Sequence, residues 1–409
     1  MRLTSEEEAM LAGEQGPGVK RAMEIVVALG EIYGAEDLVP VESVQVAGVS
    51  YKNLGQAGLE FLREWAAQGA RVRVPATLNL AGMDLADWRR LGIPEDFARR
   101  QIEVIEAFRA MGIAPTCSCT PYLIGNIPRF GQHIAWSESS AVSFANSVLG
   151  ARTNREGGPS ALAAAIVGRT ARYGLHLDEN RVARYVIEVR CAVESEADYG
   201  ALGYLVGKEV KDGVPYFRGI GKNGQISDAQ PLIPLKALGA AMAASGAVAL
   251  YHVEGITPEA RAGEVIAPGA RTIVVEGLEE GYAALNTSLK DIDFVSIGCP
   301  HASLEEIAAI ATWLEGKQVK AKLWVTTAQR TKEMARKRGW VEIIEVAGGQ
   351  VVADTCLVVA PVQTLGVRNM ATNSAKAAFY APSHSHLNVR YGTLERCLEA
   401  AVTGRWPSE

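Results

Sequence analysis

The chain has 409 residues, of which 48% are hydrophobic and 21% are charged, and its net charge is −5. This length is typical of about two or three domains, and the composition supports a large buried core rather than disorder. The negative charge excludes nucleic-acid binding through bulk positive charge. The sequence contains no uncharged apolar run of roughly eighteen residues, which is the length that a membrane-spanning helix requires. The acidic N-terminus predicts no signal peptide, so we expect a cytoplasmic protein with reduced cysteines.

Helix and strand patterns alternate through the first half of the chain. Thr4, followed by Glu6, Glu7 and Glu8, predicts a capped first helix. Further helices are predicted over residues 19–33, 54–68, 94–111 and 160–170, and strands over 44–49, 71–74 and 184–191. A polar, glycine-rich loop over residues 150–158 precedes the fourth of these helices.

The alternation continues in the second half. A helix over residues 235–246 and a strand over 248–253 close a middle section of short elements. Strands are then predicted over 272–275, 294–297, 322–326, 341–346 and 356–360, and helices over 304–315, 327–338 and 393–403. The pattern predicts an α/β fold of several modules with mostly parallel sheets. We divide it into an N-terminal helical segment (1–41), an α/β module (42–180), a β-rich middle insertion (181–268) and a C-terminal α/β module (269–409).

Three of the six cysteines lie where such a fold places reactive groups, at the carboxyl ends of strands or in tight turns. They are Cys119 in Thr116-Cys-Ser-Cys-Thr-Pro-Tyr122, Cys299 in Ser296-Ile-Gly-Cys-Pro-His301, and Cys356 in Ala353-Asp-Thr-Cys356. Cys191 and Cys397 are expected to be small buried hydrophobes, and Cys117 is a spare thiol or an alternative ligand. No CxxC pair is present, which disfavours a structural zinc ribbon. From spacing alone, buried structural thiols are the favoured interpretation and a three-thiolate site is the alternative.

Several polar segments could bind a small anionic substrate. Small residues in Gly48-Val49-Ser50 would let backbone N–H groups approach an anion, and the amide of Asn79 could bridge a carboxylate or a hydroxyl. Arg152, Asn154 and Arg155 precede a helix N-terminus, a position that favours anions, although arginines here could instead pair with Glu156. His301, beside Cys299, is a candidate for a residue that orients the cysteine ligands by hydrogen bonds without binding the metal itself.

Two other motifs favour simpler interpretations. The segment from Gly219 to Gly224 matches G-x-G-x-x-G, but no acidic residue follows at the distance that a dinucleotide site requires. An NAD-dependent enzyme is therefore disfavoured, and a hairpin or loop is expected. His384 and His386 could present two imidazoles on one side of a strand, but no nearby acid completes a metal site. A hydrogen-bonded loop is the preferred interpretation.

The longer phrases around these residues carry a resemblance. Cys119-Thr-Pro-Tyr-Leu-Ile-Gly-Asn-Ile-Pro128, Gly298-Cys-Pro-His301, Asn373-Ser-Ala-Lys376 and above all the segment over residues 135–159 resemble the aconitase X family, in particular its large subunit. The likeness runs from Leu3 to the C-terminal helix. It implies an aconitase-like fold of α/β modules with a cluster site at their junction.

The resemblance also implies the chemistry and the residues of the site. Family members are hydro-lyases with an iron–sulfur cluster held by three cysteines, which correspond to Cys119, Cys299 and Cys356. A [4Fe–4S] cluster is the first expectation, and [2Fe–2S] or [3Fe–4S] are alternatives. The residues that the resemblance places around the substrate are Gly48, Val49, Ser50, Asn79, Glu138, Ser139 and Lys376. Independent of the resemblance, Lys376 could be a solvated lysine and Glu138 an ordinary acid at a helix start.

The activity has several candidate forms. The resemblance implies a separate small subunit, a swivelling domain that supplies a serine base, and dehydration of either 5-phosphomevalonate or cis-3-hydroxy-L-proline. Gly48-Val-Ser-Tyr-Lys52 and Thr77-Leu-Asn79 favour the phosphorylated substrate, whereas Leu80 stands where proline is expected in that branch. A non-catalytic iron–sulfur sensor or scaffold is the alternative from another class. Such a protein would not need the substrate-lining Ser, Asn and Lys.

Overall fold

A computed structural model describes residues 1–221 and 232–408 of the chain. The first module contains helices α1 (Ser5–Ala12), α2 (Pro17–Ile32), α3 (Tyr51–Ala67), α4 (Glu95–Ala110), α5 (Ser139–Ser147) and α6 (Gly158–Val167). Its strands are β1 (Leu38–Pro40), β2 (Val44–Val46), β3 (Ala76–Leu78), β4 (Ala135–Trp136) and β5 (Arg169–Ala171). A parallel sheet has the order β3-β2-β4, and β1 pairs antiparallel with β5. The two N-terminal helices share one apolar core with α3, α4 and α6.

The middle module is a parallel sheet covered by two long helices. Its strands are β6 (Ala183–Val189), β7 (Pro215–Arg218), β8 (His252–Val253) and β9 (Ile266–Val275), in the order β8-β7-β6-β9. Its helices are α7 (Glu196–Val210), α8 (Leu232–Ser245), α9 (Pro258–Ala262) and α10 (Glu279–Ala284). Strand β9 crosses residue 268, where the sequence analysis ended this module, because all of β9 after its bulge pairs with β6.

The C-terminal module is a five-stranded parallel sheet. Its strands are β10 (Phe294–Ile297), β11 (Lys322–Thr327), β12 (Gln350–Ala353), β13 (Asn369–Thr372) and β14 (Asn388–Tyr391), in the order β12-β11-β10-β13-β14. Its helices are α11 (Leu304–Leu314), α12 (Gln329–Arg336), α13 (Trp340–Val346), α14 (Ala375–Ser385) and α15 (Leu394–Thr403). The predicted α/β class with mostly parallel sheets is confirmed, and among the described residues no helix is long and apolar enough to cross a membrane.

Local sequence explains where several helices begin. The side chain of Thr4 accepts a hydrogen bond from the N–H of Glu7, so the predicted cap of α1 is confirmed; the Glu7 carboxylate in turn accepts from the N–H of Thr4, which makes the cap a capping box. The same reciprocal arrangement joins Ser303 to Glu306 at the start of α11. Each cap satisfies backbone N–H groups that the first helical turn would otherwise leave unpaired.

Three predicted strands are wrong. Residues 341–346 form helix α13, because the buried residues Val341 and Ile344 are three apart with exposed or half-exposed residues between them. Residues 356–360 form a turn, in which the N–H of Ala360 donates to the carbonyl of Cys356 at 3.0 Å. Residues 71–74 are irregular, and the strand begins only at Ala76. Each segment is rich in β-branched or apolar residues, but these residues lie in a helix, a turn or a loop rather than in a sheet.

Three buried lysines join the modules around one region. Lys332 on α12 contacts Asp84 of the first module at 2.9 Å, and Lys236 on α8 contacts Glu306 on α11 at 2.5 Å. Lys376 on α14 contacts Glu138 at the start of α5. Because a buried charge without a partner is costly, each pair fixes how two modules pack against each other. The carboxyl ends of β2, β3 and β4 consequently meet those of β10, β12 and β13.

Candidate active site

The three candidate ligand cysteines come together. Cys119, Cys299 and Cys356 line a single cleft of about 280 Å³, although 180 and 57 residues separate them along the chain (299 − 119 and 356 − 299). Cys119 and Cys356 also pack against Leu80 in a small apolar cluster. The backbone N–H of His301 donates to the sulfur of Cys119 at 3.2 Å. The other three cysteines do not line this cleft, and Cys117 belongs to the core of the first module.

Burial makes these thiols hard to ionise on their own. It raises the pKa of Cys119 and Cys299, and it raises the pKa of Cys356 to about 12, with Cys299 adding to the effect. The N–H groups of Val358 and Val359 oppose the shift at Cys356. A thiol in such a place becomes a thiolate when a metal binds it and supplies the opposing charge.

The residues present fit an iron–sulfur cluster better than a single metal ion. Among the described residues, no group of three or more His, Cys, Asp or Glu side chains is arranged to hold one ion. A cluster spreads its cysteines over several irons, so its ligands lie farther apart than those of one ion. Three thiols facing one cleft, with a backbone N–H already directed at one sulfur, are the donor set that such a cluster requires.

A buried ion pair forms the polar wall of the cleft. Lys376 donates to the carboxylate of Glu138, and to the hydroxyl of Ser140 at 3.2 Å and of Ser139 at 3.5 Å. Burial alone would raise the pKa of Glu138, but the charge and hydrogen bond of Lys376, with a hydrogen bond from Asn79, lower it to about 2. Burial would lower the pKa of Lys376, but Glu138 and the nearby thiols raise it. Both groups are therefore charged at neutral pH.

Asn79 has one acceptor without a partner. Its Nδ2 donates to Oε2 of Glu138 at 2.7 Å, which fixes the orientation of the amide. Its Oδ1 is buried and has no hydrogen-bond partner among the described residues, and the side chain lines the cleft. Since a buried acceptor without a partner costs free energy, this oxygen is suited to accept a hydrogen bond from a bound hydroxyl.

Gly48, Val49 and Ser50 also line the cleft. Gly48 has a φ of +78°, a left-handed conformation that favours glycine. The hydroxyl of Ser50 donates to the carbonyl of Val359 at 2.9 Å, and Lys52 donates to that of Ala360 at 3.2 Å. This segment of the first module therefore supports the turn that follows Cys356.

The secondary candidates separate in the structure. Arg152 pairs with Asp178 and donates to the carbonyl of His176, and Asn154 donates to that of Tyr173, so neither lines the cleft. Arg155 does line it.

His301 is buried behind Cys119. Its Nδ1 lies 3.3 Å from the hydroxyl of Ser118, and its Nε2 lies 3.0 Å from the carbonyl oxygen of Thr355. Burial lowers the pKa of His301 to about 4, so the ring is neutral at pH 7. It connects the loops of Cys119, Cys299 and Cys356 without lining the cleft.

Among the polar residues that line the cleft, the sequence analysis did not assign Asn53, Ser137, Tyr380 or His384 to the site. His384 and His386 were assigned to a strand or loop, but His384 lies on α14 and His386 is the residue that ends it. Lys376, Tyr380 and His384 are spaced four residues apart, so they share one face of that helix. This spacing is the signal that could have found them.

The glycine motif is only partly described. Gly219 has a φ of +88°, and a Cβ atom there would clash with the carbonyl of Val189. Its small size is therefore required by the neighbouring strand β6. The motif beyond residue 221 lies outside the described residues.

The Glu138→Gln variant is expected to lose less stability than the wild type between about pH 4.5 and pH 2. The pKa of Glu138 is lower in the folded protein than its ordinary value, so its ionised form stabilises the fold above about pH 4.5 and stops doing so as the pH falls toward 2. A shift of this size corresponds to about 3 kcal/mol. Urea unfolding of the apoprotein over this pH range measures it, with exposed Glu14→Gln as the control. Equal slopes in wild type and Glu138→Gln would contradict the assignment.

Fold and site together define an α/β protein of three modules that presents three thiols and a buried lysine–glutamate pair to one cleft. Three protein-family sequence models, described as the Aconitase X first, second and third domain, match residues 1–179, 183–281 and 292–403 respectively. The chain belongs to the aconitase X family.

Relatives and a solved structure resemble the chain over nearly its full length. It is 52% identical to the phosphomevalonate dehydratase large subunit of Methanocaldococcus jannaschii, covering 98% of this chain and 100% of that one. It is 37% identical to the cis-3-hydroxy-L-proline dehydratase of Pseudomonas aeruginosa, covering 100% of this chain and 71% of that one. The crystal structure of Thermococcus kodakaraensis aconitase X in its holo-form superposes with a TM-score of 0.89 at 50% identity, covering 98% of this chain and 100% of that one.

Proposed function

We propose that this chain is the large subunit of a hydro-lyase that dehydrates (R)-5-phosphomevalonate to trans-anhydromevalonate 5-phosphate. The observation that carries the proposal is the cleft itself, in which three thiols face a buried pair of Lys376 and Glu138. The higher identity to the archaeal relative than to the hydroxyproline enzyme supports the phosphorylated substrate.

In this proposal Cys119, Cys299 and Cys356 hold a [4Fe–4S] cluster. With three protein ligands, such a cluster would leave one iron without a protein ligand, and that iron would supply Lewis-acid assistance to the departure of a hydroxyl. Two contacts of this chain position the ligands. The N–H of His301 donates to the sulfur of Cys119, and the hydroxyl of Ser50 donates to the carbonyl of Val359 in the turn that follows Cys356. These contacts fix the thiols before any ligand binds.

The remaining residues bind and orient the substrate. The positive charge of Lys376 and the hydroxyl of Ser139 face the substrate carboxylate, and Oδ1 of Asn79 accepts a hydrogen bond from a substrate hydroxyl. Gly48, Val49 and Ser50 contact the substrate along the same cleft. Glu138 keeps Lys376 and Asn79 in place.

Glu138 is a poor candidate for the base that removes the substrate proton. Its pKa of about 2 makes the carboxylate a weak proton acceptor at neutral pH. Glu138 is the one carboxylate among the described cleft-lining residues. The relatives named as large subunits support a separate small subunit, which in this proposal closes the cleft and supplies a serine base.

The decisive experiment is anaerobic co-expression of this chain with a small subunit, followed by assay of both candidate substrates. We expect water loss from (R)-5-phosphomevalonate, detected as the unsaturated phosphorylated acid, and none from cis-3-hydroxy-L-proline. The reverse preference would assign the alternative dehydratase. A purified complex that holds iron but turns over neither substrate would favour a sensor or scaffold.

A further inference from the structure

The cleft contains one positive charge that nothing in the described residues neutralises. Glu138, Arg155 and Lys376 are the acidic and basic residues that line it, and the glutamate and the lysine neutralise each other. No side chain of the described residues pairs with the guanidinium of Arg155. An anionic substrate that has a second charged group, besides the carboxylate that the proposed function places at Lys376, would therefore find its countercharge at Arg155.

The backbone holds Arg155 beside the cleft. The backbone of Arg155 forms an isolated parallel β-bridge with that of Trp136, in which the N–H of Glu156 donates to the carbonyl of Trp136 at 3.0 Å. Two residues after Trp136 the chain reaches Glu138, so the arginine is anchored to the strand that delivers the polar wall. The loop is thus fixed on β4, and the long side chain of Arg155 remains available.

The sequence alternative, in which arginine pairs with Glu156, does not hold. The carboxylate of Glu156 is buried and accepts hydrogen bonds from Ser160 at 2.6 Å and from Thr170 at 3.0 Å. Arg152 in the same loop is engaged by Asp178. Arg155 is therefore the arginine of this loop whose charge is available to a ligand.

Arg155 lies at the outer end of the cleft. Together with Asn53 and His384 it forms the exposed mouth, whereas Lys376 and the thiols are mostly buried. With the reacting hydroxyl beside the buried thiols, the exposed residues of the cleft are left for the far end of the substrate. In 5-phosphomevalonate, the far end is the phosphate.

We infer that Arg155 binds the phosphate group of the substrate and sets the preference for a phosphorylated hydroxy acid. The inference rests on the proposed function and adds a specificity residue to it. A guanidinium matches phosphate geometry with two parallel hydrogen bonds, which an ammonium group cannot reproduce. Hydroxyproline has no phosphate, and its single carboxylate is the group that the proposed function places at Lys376, so the contact with Arg155 favours the phosphorylated substrate.

The test uses the anaerobically purified two-subunit holoenzyme with Arg155→Gln, Arg155→Lys and the control Arg99→Gln, which removes an exposed arginine outside the cleft. We expect Arg155→Gln to raise KM for 5-phosphomevalonate about tenfold to hundredfold, since a charge-assisted contact to the substrate is lost. The kcat value should change little, because the phosphate is remote from the reacting carbon. Inhibition by inorganic phosphate should weaken in parallel, Arg155→Lys should be intermediate, and Arg99→Gln should match the wild type.

The possible outcomes separate this inference from the proposed function. If the wild type dehydrates 5-phosphomevalonate and Arg155→Gln has an unchanged KM and unchanged phosphate inhibition, the inference alone is wrong. A fall in kcat together with a loss of iron would mean that Arg155 only supports the loop, which also overturns it. If the wild type does not dehydrate 5-phosphomevalonate, the proposed function fails and the inference fails with it.

Discussion

Replacing Lys376 with methionine is expected to lower kcat/KM by about 10²–10³-fold and to destabilise the protein by about 3–5 kcal/mol. The loss of stability follows because Glu138 would remain as a buried carboxylate without its partner. The loss of turnover follows because the cleft would lose the positive charge that faces the substrate. Steady-state kinetics of the holoenzyme and urea unfolding of the isolated chain measure the two effects.

A double variant separates the two roles of this pair. Combining Lys376→Met with Glu138→Gln removes both charges, so much of the stability should return, since no ionised group is left unpaired. Turnover should remain low, because the substrate still lacks its countercharge. Full turnover in either variant would show that the pair is structural only.

Replacing Cys119, Cys299 or Cys356 with serine is expected to remove most of the iron from the anaerobically purified protein. Serine keeps the size of the side chain but is a much weaker ligand for a cluster iron than a thiolate, and no other cysteine lines the cleft to take its place. Iron and acid-labile sulfide analysis, with the visible absorption spectrum, provides the measurement. Circular dichroism shows whether the chain still folds.

Two other cysteines provide matched controls. Cys191 lies in a different cavity, and Cys117, which the sequence left open as an alternative ligand, lies in the core of the first module. Cys191→Ser and Cys117→Ala should therefore retain wild-type iron content. Normal iron in Cys299→Ser, or loss of iron in Cys117→Ala, would contradict the assigned ligand set.

The structure also explains why the site lies between modules. Lys332 with Asp84, Lys236 with Glu306 and Lys376 with Glu138 each bury a charge pair across a module boundary. Asp84 in addition accepts from the N–H of Ala353, three residues before Cys356. The contacts that pack the modules against each other therefore also position the thiols, and a change in module packing is expected to move them.

Much about this protein follows from the sequence by itself. The alternation of strands and helices predicts the parallel α/β class, because the two periodicities and the caps at residues such as Thr4 are local properties. Neighbouring Gly, Pro and Thr residues drew attention to three cysteines, and the family phrases predict these cysteines as cluster ligands and the residues expected around them. The predictions failed over residues 341–346 and 356–360, where apolar composition without regard to period was taken for a strand.

Only the tertiary structure decided which side chains meet. Lys376 and Glu138 are 238 residues apart in the sequence, so no pattern along one helix or strand could predict their contact. The loop that carries Arg152 and Arg155 predicts two equivalent arginines, yet packing gives one to Asp178 and leaves the other at the cleft. The physical reason is that a side chain's partner is set by how separate modules bury their charged groups together, whereas sequence patterns report the neighbours along one element.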